Sequence, residues 1–294
     1  MTSYDMCLAW NWEYDAEFVH LLENACSSQN KVLVKVTPNN LDSMLRAMQS
    51  GEVRAKSFLD RASDTDPRFI PLSEYARGNG AYIINPQKQV FWTHDKASLH
   101  REFLTQGLEV PFTIILPSHN EQNSPTTPDL NPFHDNFVLK PAHGGGGEGV
   151  VLDANCWDQV LEIRMQFPDE KYLLQECISP KLLDRRPGWF RILYCDGGVY
   201  PCWWDQNSHV YIAVSAEESA YWGLRMLREI PRRIAGMCGL DLFSTEVALT
   251  DEDKFIIVDY VNDPVDLRPQ SSAADGVPDN IIINIIHRLL RMTG

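Results

Sequence analysis

The sequence lacks any long apolar run. No stretch approaches the roughly eighteen residues that a membrane-crossing helix needs. No Lys or Arg precedes Lys31 and Asp5 comes early, so the first residues do not read as a signal peptide, and a cytoplasmic protein is expected. Basic residues are also scarce: 26 Lys plus Arg stand against 40 Asp plus Glu, for a net charge of -14. That balance argues against a nucleic-acid or anionic-membrane surface, since both need a basic footprint. It leaves room for a phosphate ligand held by a few lysines and a metal. The cysteines number seven, an odd count, and no pair has C-x-x-C spacing. Free buried thiols in a reducing compartment are expected rather than a disulfide frame. No Gly-Lys-Ser/Thr occurs, so there is no Walker A loop. Repeats and low-complexity segments are missing as well.

What is present is ordinary globular composition, 44% hydrophobic and 22% charged over 294 residues. At about 150 residues per domain, that length suggests two domains or one domain with clear lobes. The first third alternates strand and helix. Met6 to Trp10 and Lys31 to Val36 read as strands. Phe18, Leu22, Ala25 and Cys26 share a helix face, with Asp15 as its cap. Leu41, Met44, Leu45 and Met48 fall at i, i+3, i+4, i+7, between a possible cap at Asn40 and a stop at Gly51. Such alternation favours a parallel sheet and a small α/β domain ending near residue 93. Asp95 opens a further helix. Strand-like runs follow at 110–116, 136–140, 150–152, 172–177, 190–195, 240–249 and 255–261. Residues 218–237 are helical, with Pro231 expected to start a second helix. Asp279 is expected to cap an Ile-rich final helix. Glu13, in the first strand–helix loop, is a candidate for holding a substrate amine.

The segment Asn136 to Leu152 carries five glycines in the six positions from 144 to 149: Gly144, Gly145, Gly146, Gly147 and Gly149. Three of them match G-x-G-x-x-G, but Val150, Val151 and Leu152 then form a strand, and a dinucleotide fingerprint needs a helix there. The loop joins two strands. Glycines permit backbone N–H groups to approach an anion closely, and Lys140 adds a cation beside them, so phosphate binding follows. A flexible hairpin without a ligand is the alternative.

The turn Thr250 to Lys254 separates two apolar runs. If Leu249 pairs with Ile256, Glu246 sits opposite Asp259. Side chains opposite one another have Cβ atoms about 4.5–5.5 Å apart, so two bare carboxylates would repel unless a cation lies between them. Hard oxygen ligands with room for waters and phosphates suit Mg²⁺. A one-residue slip in register would undo this, and a solvated acidic face is the alternative. Asn262 and Asp263 add further oxygens.

The order of these features resembles the ATP-grasp superfamily. Lys96 stands at a helix start (HDKASLHREFL) before VPFTIIL. A strand lysine follows in FVLKP, then the glycine hairpin and the strand YLLQECIS. Arg191 comes next in WFRILYCDGGVYP, and last the hairpin with Glu246, Asp259 and Asn262. The resemblance covers Lys96 to about Gln270. It implies an α/β and α+β protein with an N-terminal α/β domain at 1–93. An ATP-grasp subdomain with the glycine lid would occupy 94–179, and a C-terminal subdomain with the metal site 180–294. By the same resemblance, Lys96 and Lys140 contact ATP phosphates and the glycine hairpin covers them. Gln175, Glu176, Cys177 and Ile178 form the adenine hinge, and Glu246, Asp259 and Asn262 hold Mg²⁺. The family usually reads acid-x-Asn at the last site; here Asn262 is one residue further on, so a bulge after Asp259 is expected. The implied activity is ATP-dependent ligation, in which a carboxylate becomes an acyl phosphate that an amine or thiol then attacks. A kinase of the same superfamily and a non-catalytic nucleotide binder remain open, as does a homodimer. Arg191 and Arg268 are the arginines expected to grip the phosphoryl group during catalysis, through the rigid fork of the guanidinium.

Overall fold

The computed structural model describes residues 1–294 except Gly145 and Gly146. The chain divides into two compact units, both assembled from separated segments. The first comprises Met1–Val90, Arg191–Ser244 and Asp263–Gly294; the second comprises Phe91–Phe190 and Thr245–Asn262.

The first unit begins with β1 (Thr2–Trp10), α1 (Ala16–Ser28), β2 (Leu33–Val36), α2 (Leu41–Gln49), β3 (Val53–Arg61), α3 (Ile70–Gly78) and β4 (Tyr82–Ile84). The strands form a parallel sheet of order β2-β1-β3-β4. Met6, Cys7, Leu8 and Ala9 of β1 are all fully buried, as a strand covered on both faces requires. The α2 stripe of Leu41, Met44, Leu45 and Met48 packs into the cluster around Phe58 and Phe69. Neither expected side-chain cap forms. The Asn40 amide oxygen accepts from Thr37 N instead. Asp15 is consumed by Arg61: Nε and Nη2 of the arginine donate to its two oxygens, each at 2.7 Å, with both side chains buried.

The chain then runs through α4 (Gln87–His94), α5 (Lys96–Thr105), β5 (Thr113–Leu116), β6 (Phe137–Pro141), β7 (Val151–Ala154), α6 (Trp157–Gln166) and β8 (Tyr172–Glu176). The second unit holds the antiparallel sheet β5-β8-β6-β7. Its core joins Phe133, Phe137, Leu139, Tyr172 and Leu174 to Val160 of α6.

There follow two short strands, β9 (Leu182–Leu183) and β10 (Arg186–Pro187), and then β11 (Trp189–Cys195), β12 (Gly198–Trp204) and β13 (Tyr211–Ala213). Next are α7 (Ala216–Tyr221), α8 (Met226–Cys238), β14 (Leu242–Leu249), β15 (Phe255–Asn262) and α9 (Asp279–Arg291). The five longer strands form a sheet of order β13-β12-β11-β14-β15. Pro231 does not start a helix: α8 runs through it. The burial of Leu227, Ile230, Ile234 and Cys238 along one stripe outweighs the single backbone bond a proline forfeits. Asp279 is the first residue of α9 rather than its cap, and its carboxylate accepts from the backbone N–H and the hydroxyl of Ser271. No helix among the described residues is long and apolar enough to cross a membrane.

Asn85 is a hub of the first unit. Its amide oxygen accepts from Asp241 N (2.9 Å) and Leu242 N (3.0 Å). Its Nδ2 donates to Leu242 O and, at 2.6 Å, to Asp263 Oδ1. One side chain thereby ties the end of β4 to the start of β14 and to the chain beyond β15.

Candidate nucleotide site

Most of the expected nucleotide residues fall in the second unit. Asp95 caps α5 as expected, accepting from Ala97 N (3.0 Å) and Ser98 N (3.2 Å). That cap presents Lys96 in the first turn. The Lys96 backbone N–H donates to Ala142 O at 2.9 Å, and its Nζ donates to Gly144 O at 2.6 Å. Lys96 is therefore fastened twice to the segment that leads into the glycines. Lys140, on β6, donates from Nζ to Val258 O of β15 at 2.9 Å. Burial lowers the Lys96 pKa. Lys140 lowers it further by like-charge repulsion, against the favourable fields of Asp259, Glu170 and Asp95. The sequence separates Lys96, Lys140 and Asp259 widely, yet the fold brings them within electrostatic reach of one another.

The glycine segment links β6 and β7, which pair antiparallel with a shift of register between Phe137 and Leu139. Gly144, Gly147 and Gly149 have φ of 115°, 81° and 70°, where L side chains are strained. A Cβ on Gly149 would also press on Pro141 Cγ at 3.3 Å. Gly145 and Gly146 lie outside the described residues. His143 at the entry of this segment is held by Glu170, whose Oε2 lies 3.1 Å from both its N and Nδ1.

The expected hinge is β8 and the residues after it. Gln175 pairs with Val138 on one side and Thr113 on the other, two residues along from the Lys140–Leu173 pair. Its side chain is buried. Glu176 accepts Phe112 N through Oε2, and its own N–H donates to Phe112 O. Cys177 and Ile178 continue half-buried beyond the strand end.

The β14–β15 turn closes more tightly than the sequence suggests. Thr250 N donates to Lys254 O (2.9 Å) and Asp253 N to Thr250 O (3.0 Å), with Asp253 in the left-handed region at φ 58°. A turn ending in a left-handed residue forms a bulge, and this one brings Leu249 level with Phe255 instead of Ile256. In line with that register, the Thr245 hydroxyl donates to Asp259 O at 2.9 Å. Carried unbroken along the hairpin, it sets Glu246 level with Val258, so the expected facing of Glu246 and Asp259 needs one further bulged residue. β15 continues as strand through Asn262.

Glu246 Oε2 accepts from Trp189 Nε1 at 3.1 Å, and Asp259 and Asn262 are half-buried. Among the described residues there is no cluster of three or more His, Cys, Asp or Glu arranged for a metal. The donor set does suit a hard cation that completes its shell with phosphate and water. Among the described residues Asn262 Nδ2 is buried with no hydrogen-bond partner, a donor that a phosphate oxygen, not a metal ion, would satisfy.

The two expected catalytic arginines lie in the first unit. Arg191 on β11 places its guanidinium carbon 4.9 Å from the centre of the Trp204 ring and donates from Nε to Ser244 Oγ at 3.3 Å. His209 stacks on the same indole at 5.4 Å and 6°. Arg268 is otherwise engaged. Its Nε and Nη2 donate to Asp266, and Nη1 and Nη2 to Asp275. These carboxylates raise its pKa. The fork expected to meet a phosphoryl group instead braces the loop after β15, because two aspartates of that same loop claim it.

One arrangement has no counterpart among the sequence expectations. His100, Tyr260 and the hinge residue Gln175 form a buried polar network in the second unit, with the half-buried Thr113 at its edge. The only hint in the sequence is a tyrosine within the apolar run FIIVDYV.

No family model matches the chain, and no curated protein matches it. Solved structures do. A RimK-domain ATP-grasp protein from Sphaerobacter thermophilus is 19% identical, with a TM-score of 0.65 over 97% of this chain and 98% of that one. The D-cycloserine synthetase DcsG is 14% identical, with a TM-score of 0.63 over 98% and 99%. D-alanine–D-alanine ligase from Bacillus anthracis, solved with ATP, is 13% identical, with a TM-score of 0.64 over the whole of both chains. The chain therefore has the ATP-grasp fold.

Proposed function

We propose that the protein is an ATP-dependent ligase that activates a carboxylate as an acyl phosphate and joins it to an amine or a thiol. The observation that carries this reading is the pair Lys96 and Lys140. Lys96 ends on the carbonyl oxygen of Gly144 at the glycine segment and Lys140 on that of Val258 on β15, and the field of Lys140 adds to burial in lowering the Lys96 pKa. Two ammonium groups held near each other favour an anion of high charge, and a nucleotide phosphate supplies one. Structures of the same fold support the rest: two of them are a synthetase and a ligase by name, and the ligase was solved with ATP.

In this reading Lys96 and Lys140 bind phosphates, the glycine segment covers them, and Gln175 to Ile178 receive adenine through backbone groups. Glu246, Asp259 and Asn262 would hold Mg²⁺, which would supply charge neutralisation at the phosphates. Arg191, held by Trp204 and Ser244 within the first unit, is the arginine proposed for the chemistry. Arg268 is left out of the chemistry.

The test is trapping. With ATP, Mg²⁺ and a panel of carboxylic acids, hydroxylamine should convert one acid to its hydroxamate with release of phosphate. A stable phosphate ester would replace the ligase with a kinase. Failure of millimolar ATP to raise the melting temperature would sink the nucleotide reading altogether.

A further inference from the structure

We propose that Tyr260 is a positioning residue that holds three nucleotide-contacting segments of the second unit in register. The inference rests on the nucleotide reading above and extends it to a residue outside the ligand's reach.

Tyr260 is 3% exposed, and its hydroxyl lies 2.6 Å from His100 Nδ1 and 2.7 Å from Gln175 Nε2. The same Gln175 Nε2 lies 3.2 Å from Thr113 Oγ1, whose hydroxyl donates to Pro111 O. Each partner sits on a segment with a nucleotide role. His100 is one helical turn beyond Lys96 on α5, so a shift at its ring moves the lysine's turn. Gln175 is the last buried residue of β8 and the first residue of the proposed hinge. Tyr260 itself follows Asp259 on β15, the strand whose Val258 carbonyl receives Lys140. One hydroxyl thus joins the first lysine, the hinge and the acidic strand.

The hydrogen bonding can be satisfied in one consistent sense. The Gln175 amide nitrogen can only donate, so the hydroxyl accepts from it, and the hydroxyl proton is then available to His100 Nδ1. Packing alone does not call for this arrangement. The Tyr260 ring already packs against Phe103 at 5.1 Å between centroids, and a phenylalanine would keep that contact. Burying three polar side chains where apolar ones would fit, with Thr113 half-buried beside them, is costly unless every member is satisfied. Such networks give a single arrangement rather than extra stability.

The experiment compares nucleotide affinity with stability in the full chain. Binding of ATP with Mg²⁺ is measured by calorimetry well below the melting temperature for the wild type, Tyr260→Phe and Phe103→Leu. Tyr260→Phe should weaken ATP at least tenfold. Phe103→Leu, which trims the ring packed against Tyr260 but removes none of the network's hydrogen bonds, should lower the melting temperature and leave affinity within twofold. Where Tyr260→Phe does not fold, His100→Leu removes one arm of the network and should weaken ATP about fivefold, while His100→Gln, which retains an acceptor, should restore most of the loss. A wild type that binds ATP together with a Tyr260→Phe or His100→Leu protein that binds equally well overturns the positioning role and leaves the nucleotide reading intact. A wild type that binds no ATP overturns the reading and this inference with it.

Discussion

In the first unit Arg61 meets Asp15 through two bonds of 2.7 Å, with both side chains out of water, and its third nitrogen donates to Val265 O. Arg268, nearer the surface, is claimed by two aspartates. In the second unit Lys140 ends on the carbonyl oxygen of Val258 and Lys96 on that of Gly144. A guanidinium matched to a carboxylate is neutralised and has no appetite for a ligand. An ammonium resting on a carbonyl oxygen has no opposite charge to neutralise it, and a second ammonium nearby makes an incoming anion more welcome. Structural and ligand-seeking cations are thus told apart by their partners, not by residue type or burial. By that measure we propose Lys96 and Lys140, rather than Arg268, as the cations that meet a ligand.

The sharpest way to break this contrast is at Asp15. Asp15→Ala leaves Arg61 charged and buried without its partner, and should cost about 3–5 kcal/mol of folding stability in denaturant titrations. Asp15→Leu with Arg61→Met, which removes both charges, should recover most of it. If the single variant costs less than about 1 kcal/mol, the pair is not the neutralised structural unit described above.

His100 shows how the second unit treats a buried base that lacks an acid. Burial holds its pKa down at about 4, against an ordinary value of 6.5. A base whose pKa falls on folding stabilises the fold above its unfolded value. That contribution is lost as pH drops from about 6.5 to about 4, and amounts at most to about 3 kcal/mol. Stability measured across this window should decline with acid, and His100→Gln should flatten the slope. An unchanged slope would assign the acid sensitivity to other groups.

The lysines should behave in the reverse sense from Asp15. Lys140→Met removes a phosphate cation and should weaken ATP at least tenfold, about 1.4 kcal/mol. Unliganded stability should stay level or rise slightly, because a like charge beside Lys96 is gone. A large stability loss with unchanged ATP binding would make Lys140 the structural cation.

The smallest effect is expected at Arg268. Its side chain is 23% exposed, so Arg268→Lys should cost about 1 kcal/mol of stability or less. Turnover, once a substrate is known, should hardly move. A tenfold fall in turnover at unchanged stability would return Arg268 to the chemistry.

Much of the architecture was legible along the chain. Strand–helix alternation in the first third gave the parallel sheet. The stripe of Leu41, Met44, Leu45 and Met48 gave α2, Asp95 capped α5, and the strand after the glycines excluded a dinucleotide fingerprint. These are local properties, carried by periodicity and by residues a few positions apart. The failures share a cause. Local sequence makes Asp15 and Asn40 look like caps, but each finds a better partner: Arg61 lies forty-six positions away, and Thr37 belongs to the preceding turn. Pro231 looks like a helix start because a proline costs one backbone bond, and burial of the α8 stripe outweighs it. The hairpin register turned on Asp253 adopting a left-handed conformation, which an aspartate tolerates but does not announce.

By itself the sequence determined the α/β class, the acidic balance, the glycine loop and the order of the lysines and carboxylates that points to a nucleotide. Those follow from composition, spacing and chirality, which need no knowledge of distant contacts. Only the tertiary structure decided that Lys96 is clamped to the glycine segment and that Arg268 is spent on two aspartates. It alone placed His100, Gln175 and Tyr260 in one buried network. The reason is physical. The protonation and availability of a side chain depend on which charges and dipoles share its low-dielectric surroundings, and for residues up to 160 positions apart those neighbours are chosen by folding.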